Sequence, residues 1–252
     1  MSYRTTRHGE QYTSALRRRI SPRRNRRLRN HLLHPLQSFV RLLPKLRHQS
    51  PRSRLRRHRP TTRLAHASIA TRRRTQHQPV SPSHVVAQIL EALLLAAQAG
   101  LRIPLVFNSG GYDALPTLRL VEGIVDIYMP DAKYGDPEVG QRLSRVDDYP
   151  TVNRQAILEM HRQVGPLTLD ASGIATRGLL VRHLVLPASL ADSRTILRFL
   201  AQHVSTTTYV HIMDEYRPCF LASDHEQLAR PLRRSEYEFV MQVAREEGLE
   251  PR

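Results

Sequence analysis

The chain contains 252 residues and carries a formal net charge of +17, which is divided unevenly along its length. Residues 1–80 contain 22 Lys and Arg residues against one acid, whereas residues 81–252 carry a net charge of −4. A single cysteine, Cys219, excludes an intrachain disulfide and a metal cluster held by several thiolates of this chain. We find neither an apolar run of the roughly 20 residues needed to span a membrane nor a secretory signal. Composition therefore predicts a soluble, cytoplasmic protein without membrane contacts.

Arg clusters, separated by Ser, Thr, His and Pro, fill residues 1–80. Repulsion between these charges and a shortage of core-forming residues predict that the segment is disordered. Three interpretations of it remain open. It is a basic arm that binds nucleic acid or other polyanions by releasing phosphate counterions, or an organellar transit peptide, which is also rich in Arg and poor in acids. Alternatively, it is an out-of-frame translation of a GC-rich gene, in which Arg, Pro, Ser and His codons dominate.

Residues 81–252 alternate between helical and strand-like patterns and form the predicted folded part. Helical spacing of apolar residues predicts helices over residues 84–99, 114–121, 137–145, 151–164, 191–204 and 235–247. Short apolar runs predict strands over residues 101–107, 124–129, 178–186 and 209–213. Such alternation is typical of a parallel sheet with right-handed crossovers. Four strand–helix units are about half of a closed barrel, so we predict an α/β fold, either a partial parallel β/α barrel of about four strands or an open sheet.

Ligands of parallel α/β folds bind at the loops that follow the carboxyl ends of the strands. The turn at residues 108–111, Asn-Ser-Gly-Gly, follows the first predicted strand, and Asp131 and Lys133 follow the second. Asp131 and Lys133 stand two residues apart on an extended segment, so their side chains face the same way. A carboxylate and an ammonium placed there suit the two charged groups of an amino-acid-like ligand. A solvated ion pair and an ordinary Gly-Gly turn are the alternative interpretations.

The remaining candidates for chemistry are weaker. His84 and His183 have no metal-ligand partner at useful spacing, so we predict that they cap or pack. Cys219 lies in a loop without a nearby His pattern, which favours an inert thiol. We therefore assign no catalytic and no metal-binding residue from spacing alone.

Five segments of the chain resemble the radical S-adenosylmethionine (SAM) proteins related to pyruvate formate-lyase-activating enzyme. These segments are VSPSHVV at 80–86, LVFNSGGYD at 105–113, VDIYMPDAKY at 125–134, RGLLVRHLVLP at 177–187 and MDEYRP at 213–218. The match covers about residues 78–250, in order and with natural spacing, and it is fairly specific to the uncharacterised activase-like branch of these proteins.

The resemblance implies a partial β/α barrel of six strands whose first strand precedes a loop with the motif Cys-x3-Cys-x2-Cys. Those thiolates bind a 4Fe–4S cluster, SAM chelates its remaining iron, and reductive cleavage of SAM yields a radical. By similarity, Asn108 and Ser109 lie where family members contact SAM. Asp131 and Lys133 match the residues that handle its methionine moiety, and Arg182 matches a strand arginine that faces the same cavity.

The chain departs from this pattern in residues 1–80, which contain neither the three-cysteine motif nor a Gly-Gly-Glu motif for the SAM amino group. Without three thiolates the cluster has no anchor, and SAM loses its chelation and its source of electrons. We therefore expect a truncated radical SAM activase-like protein that binds neither cofactor and is inactive as written, although its intact relatives are enzymes. Alternatively, the chain is a basic-arm nucleic-acid-binding or adaptor protein with a catalytically dead half-barrel. A third hypothesis is that a separate chain completes the barrel.

Overall fold

The computed structural model describes residues 76 and 78–251 of the chain. The disorder predicted for residues 1–80, and the three interpretations of that segment, therefore concern a part of the chain that lies almost entirely outside the described residues. Within the described part, no helix is both long and apolar enough to cross a membrane.

The described residues form a mixed α/β fold in which strands and helices alternate. The strands are β1 (Val106–Ser109), β2 (Ile127–Pro130), β3 (Thr168–Leu169), β4 (Ala175–Leu184) and β5 (Tyr209–Met213). The α-helices are α1 (Val86–Gln98), α2 (Leu115–Leu120), α3 (Pro137–Ser144), α4 (Tyr149–Val164), α5 (Ser193–Phe199) and α6 (Arg234–Glu246). A short 3-10 helix, Pro82–Val85, precedes α1, and α5 continues as a π-helical turn, Leu200–Val204. Two further 3-10 turns, Phe220–Asp224 and Glu226–Leu228, lie between β5 and α6.

Four of the strands form a parallel sheet in the order β1, β2, β4, β5. This confirms the prediction of an α/β fold with a parallel sheet of several strands. The short strand β3 was not predicted, and it pairs antiparallel with the beginning of β4. Between them, Asp170 Oδ1 accepts the backbone N–H groups of Ser172 (2.8 Å) and Ile174 (3.0 Å), and Gly173 has a positive φ of 78°. This hairpin is why β4 begins at Ala175 rather than at the predicted residue 178.

Each parallel strand is added to the sheet on the far side of the parallel strand before it, so the order β1, β2, β4, β5 follows the order along the chain. Right-handed crossovers of this kind place their helices on the same face of the sheet. Burial along β4 agrees with that arrangement. Leu179, Val181 and His183 are fully buried, whereas the alternating residues Arg182 and Leu184 are only half-buried. Within the described residues, helices thus cover one face of the sheet and leave the other more open.

The main core lies between the covered face of the sheet and the helices. It joins strand residues such as Val181 and Val210 to helix residues such as Leu93, Ile157 and Leu197. Burying apolar side chains of this size stabilises the fold by about 1.5–3 kcal/mol each. A second, smaller cluster lies beside the loops that follow the strands, and it includes Tyr134, Leu143, Tyr149, Tyr216 and Leu228. Packed side chains therefore stabilise the loops at the carboxyl ends of the parallel strands.

Candidate functional site

Three charged side chains meet at the carboxyl ends of neighbouring strands. Asp131 directly follows β2, and Arg182 lies near the end of β4, where the two residues form a parallel β-bridge. Lys133 stands two residues after Asp131 on the same extended segment. Asn108, in β1, lies in register with the end of β2. We call Asn108, Asp131, Lys133 and Arg182 the charged cluster.

The carboxylate of Asp131 lies between the two cations of the charged cluster. Lys133 Nζ donates to Asp131 Oδ2 at 2.6 Å, and Arg182 Nη2 donates to Asp131 Oδ1 at 2.5 Å. The same Arg182 nitrogen lies 2.9 Å from Asn108 Oδ1, which accepts from it. The side chains of the three charged residues are 16–21% exposed. The sequence-based prediction that Asp131 and Lys133 face the same way is confirmed.

The charged cluster carries a net positive charge. Burial alone acts to raise the pKa of Asp131, but the positive charges of Lys133 and Arg182 outweigh it and hold the pKa below its usual range. One carboxylate thus faces two cations. Arg182 Nε is buried and has no hydrogen-bond partner among the described residues, which is costly unless a ligand or water satisfies it. These features suit an anionic group such as a carboxylate.

Ser109 lies apart from the charged cluster, although it is adjacent to Asn108 in sequence. Successive side chains of a strand point to opposite faces, and the Ser109 hydroxyl donates to Asp113 Oδ2 at 2.5 Å. Ser83 also donates to Asp113, and burial raises the pKa of this carboxyl group more than the two hydroxyl groups lower it. Ser109 is 2% exposed. Its hydroxyl therefore stabilises the loop that follows β1, on the face of the sheet opposite the charged cluster.

His183 is a packing residue, as its isolated position in the sequence predicts. It is fully buried, with Nδ1 2.7 Å from the Ala132 carbonyl and Nε2 2.8 Å from Ser193 Oγ. The carbonyl can only accept, so Nδ1 carries the proton and Nε2 accepts from the Ser193 hydroxyl. Burial lowers the pKa of His183, which favours this neutral form. Because Ala132 stands between Asp131 and Lys133, His183 steadies the backbone of the charged cluster.

One polar residue on the same sheet face was missed from the sequence. His211 of β5 pairs in register with Arg182 of β4, and its side chain is exposed. Residues in register on parallel strands project to the same face, so His211 stands beside the charged cluster. A signal for it exists in the sequence, because His211 is the polar residue between the buried Val210 and Ile212. Alternation of this kind predicts the strand, but it does not predict which residue of a neighbouring strand lies beside the polar residue.

Neither the sequence nor the described residues provide the ligands of an iron–sulfur cluster. Cys219 is the single cysteine of the chain, and burial raises the pKa of its thiol, which disfavours the thiolate. No group of three or more His, Cys, Asp or Glu side chains that could hold a metal ion occurs in the part of the chain that the structure describes. A cluster that needs three thiolates does not fit these 252 residues. The charged cluster, by contrast, places two cations around one carboxylate, an arrangement that can bind an anion.

Comparisons with known proteins found a relative but no assigned activity. The chain is 29% identical over 150 residues to an uncharacterized protein of Methanocaldococcus jannaschii. The aligned region is 59% of this chain and 40% of that protein, so the chain spans less than half the length of the relative it matches. No family model matches the chain. No solved structure matches it either.

Proposed function

We propose that residues 81–252 are the C-terminal part of a radical SAM-like β/α barrel, and that the charged cluster is the part of its SAM site that binds the methionine moiety. The motif resemblance supports this proposal, because its most specific segments contain Asn108, Asp131, Lys133 and Arg182. The parallel sheet that advances in one direction also supports a partial barrel. The observation that carries the proposal is the convergence of Lys133 and Arg182 on Asp131, because Arg182 stands 51 residues after Asp131 along the chain.

Each member of the charged cluster has a distinct role in this proposal. Lys133 and Arg182 bind the carboxylate of the methionine moiety with the donors that Asp131 does not occupy. Asp131 holds the two cations together and lowers their mutual repulsion. Asn108 orients the Arg182 guanidinium through its side-chain carbonyl. The radical that SAM supplies in such proteins needs the iron–sulfur cluster, which this chain cannot anchor, so we derive no radical step for it.

Binding of SAM to the chain by itself is expected to be weak. Two charge-assisted hydrogen bonds contribute about 3–6 kcal/mol together, and a dissociation constant of 1 mM corresponds to about 4 kcal/mol. The loss of translational and rotational freedom on binding offsets part of this free energy, so we expect a dissociation constant in the millimolar range or weaker. We also expect that anaerobic reconstitution with iron and sulfide leaves the 252-residue chain without a stoichiometric cluster.

An NMR titration of the isotope-labelled 252-residue chain with SAM tests the proposal. Lys133→Met and Arg182→Met should each weaken binding at least tenfold, because each removes a charged donor. Arg194→Met is the matched control, since Arg194 forms a surface ion pair with Glu246 at 3.0 Å, away from the charged cluster. Absence of SAM-dependent shifts at residues 108–133 in the unmodified chain, or equal losses in all three variants, would contradict the proposal.

A second candidate function is polyanion binding through residues 1–80. The observation that favours it is the charge of that segment, which holds 22 Lys and Arg residues and one acid. Arg clusters bind phosphates of any sequence by displacing condensed counterions, so nucleic acid in general is the expected partner. Under this hypothesis the folded part acts as a catalytically dead adaptor.

A further inference from the structure

Two polar side chains of α4 point into the protein instead of into solvent. Tyr149 and Asn153 are each 4% exposed and stand four residues apart, which places them on the same side of the helix. Burying a hydroxyl and an amide without hydrogen bonds costs about 1–3 kcal/mol each. Both groups must therefore have partners, and those partners are the loops that follow β1 and β2.

The contacts of these two side chains converge on the backbone of both loops. The Tyr149 hydroxyl lies 2.9 Å from the Gly110 carbonyl and 3.1 Å from the Asp131 carbonyl, and it accepts the Lys133 N–H at 3.1 Å. Asn153 Nδ2 donates to the carbonyls of Gly111 and Asp131, both at 2.9 Å. The Asp131 carbonyl is thus contacted by both side chains.

These contacts begin where the sheet can no longer hold the two loops together. The Asp131 N–H donates to the Ser109 carbonyl at 3.1 Å, at the end of the pairing between β1 and β2. Beyond this point, Tyr149 and Asn153 join the Gly110–Gly111 turn to the segment that carries Asp131 and Lys133. The approach is so close that a Cβ on Gly111 would lie 2.0 Å from the Asp131 carbonyl oxygen.

We propose that Tyr149 and Asn153 are positioning residues, which fix the backbone of residues 131–133 so that Lys133 and Arg182 both face Asp131 and direct their remaining donors toward a ligand carboxylate. Neither side chain belongs to the charged cluster itself. The part of this inference that concerns a ligand carboxylate rests on the proposed function. The effect of Tyr149 and Asn153 on the geometry of the charged cluster can be tested without any ligand.

The first test measures the titration of the Asp131 carboxyl group by carbon NMR in the ligand-free, 252-residue chain. The charged groups that face it are Lys133 and Arg182, and four other titratable groups interact with it electrostatically: Asp113, Tyr134, Tyr149 and His183. Tyr149→Phe and Asn153→Leu should move the Asp131 titration upward, toward the ordinary pH range of a carboxyl group, because Lys133 is released. Tyr149→Phe keeps the aromatic ring, so it can decide the question even if Asn153→Leu fails to fold.

Tyr216→Phe is the matched control for this test. Tyr216 is also buried, at 5% exposure, and its hydroxyl donates to the Leu228 carbonyl at 2.8 Å instead of to the two loops. We expect its Asp131 titration to equal that of the unmodified chain. An unchanged Asp131 titration in Tyr149→Phe would overturn the positioning role. An equal shift in Tyr216→Phe would also overturn it, because it would show that the loss of any buried tyrosine hydroxyl moves the Asp131 titration.

The second test compares the dissociation constants of SAM and 5′-methylthioadenosine, which lacks the amino-acid part of SAM. Tyr149→Phe should weaken SAM binding about three- to tenfold, as expected for the loss of one hydrogen bond, and leave any binding of 5′-methylthioadenosine unchanged. SAM binding that is as strong in Tyr149→Phe as in the unmodified chain, or equal losses for the two ligands, would overturn the positioning role. If the unmodified chain binds neither ligand, the proposed function fails, and the Asp131 titration alone decides the positioning role.

Discussion

At the scale of single residues, Gly111 shows how closely the loops of the candidate site approach each other. Its φ is +74°, a conformation that L-residues rarely adopt, and a Cβ there would meet the Asp131 carbonyl oxygen at 2.0 Å and Asn153 Nδ2 at 2.3 Å. Gly123 has the same φ, but a Cβ on Gly123 would have no atom within 4 Å. A comparison of substitutions at the two glycines therefore distinguishes the cost of the backbone conformation from the cost of the close approach of two loops.

We expect Gly111→Ala to lower the free energy of unfolding by about 2–4 kcal/mol, since it combines the left-handed conformation with an overpacked contact. Gly123→Ala should cost only about 1–2 kcal/mol, because only the conformational cost applies. Urea denaturation of the two variants and the unmodified chain measures both values. Equal destabilisation in the two variants would show that the contact with Asp131 and Asn153 is unimportant.

At the scale of elements, one carboxylate ties the beginning of α6 to two other segments. Arg230 donates to Glu236 through both terminal nitrogens, at 2.6 and 2.9 Å. The backbone N–H groups of Ala188 (2.8 Å) and Arg233 (2.9 Å) donate to the same carboxylate. These hydrogen bonds, with that of Arg230 foremost, lower the pKa of Glu236 to about 2. α6 is thereby attached to the loop that follows β4.

The lowered pKa of Glu236 predicts a defined pH dependence of stability. The unfolded chain protonates Glu236 near its ordinary pKa of 4.5, whereas the folded chain does so near 2, so this contribution is present above pH 4.5 and is lost as the pH falls toward 2. Glu236→Gln should therefore lower the thermal midpoint at pH 7, and the difference from the unmodified chain should shrink toward pH 2. Glu238→Gln, which removes an exposed pair with Arg234, should change little. A pH-independent effect of Glu236→Gln would contradict this explanation.

At the scale of the whole molecule, the charge division separates a basic segment from a slightly acidic folded part. If residues 1–80 bind nucleic acid, affinity should fall by about a thousandfold between 50 and 200 mM salt for roughly six phosphate contacts. Replacing Arg17 and Arg18 by Gln should reduce the slope of log affinity against log salt by up to about 1.8. The matched double variant, Arg194→Gln with Arg198→Gln, should leave the slope unchanged, because these residues pair with Glu246 and Glu247. Filter binding to a duplex measures the slopes, and equal slopes would contradict the basic-arm hypothesis.

The two edges of the sheet also belong to this scale. Within the described residues, β5 pairs with β4 alone, and the outer edge of β1 is met by a single bridge between Val80 and Asn108. Val80 is 52% exposed. Further strands add to a sheet at its edges, so completion of the sheet by a separate chain stays a proposal.

Much of the fold was predictable from local patterns, and the misses have local causes. The strand Tyr209–Met213 was predicted with its observed bounds. The first predicted strand, residues 101–107, begins only at Val106, because Pro104 has no N–H to donate to a neighbour. The predicted helix at 191–204 begins at Ser193 and becomes a π-helical turn at Leu200. Apolar spacing alone does not distinguish these two helix types.

The sequence by itself determined the division into a basic and a folded part, the alternation of strands and helices, and the charged residues at strand ends. These properties depend on charge and on short periods along the chain. Only the tertiary structure decided that Arg182 meets Asp131, that Ser109 faces away from them, and that Tyr149 and Asn153 join the two loops. Contacts between residues far apart in sequence depend on strand register and helix rotation, which are set by packing of the whole core and not by any local period.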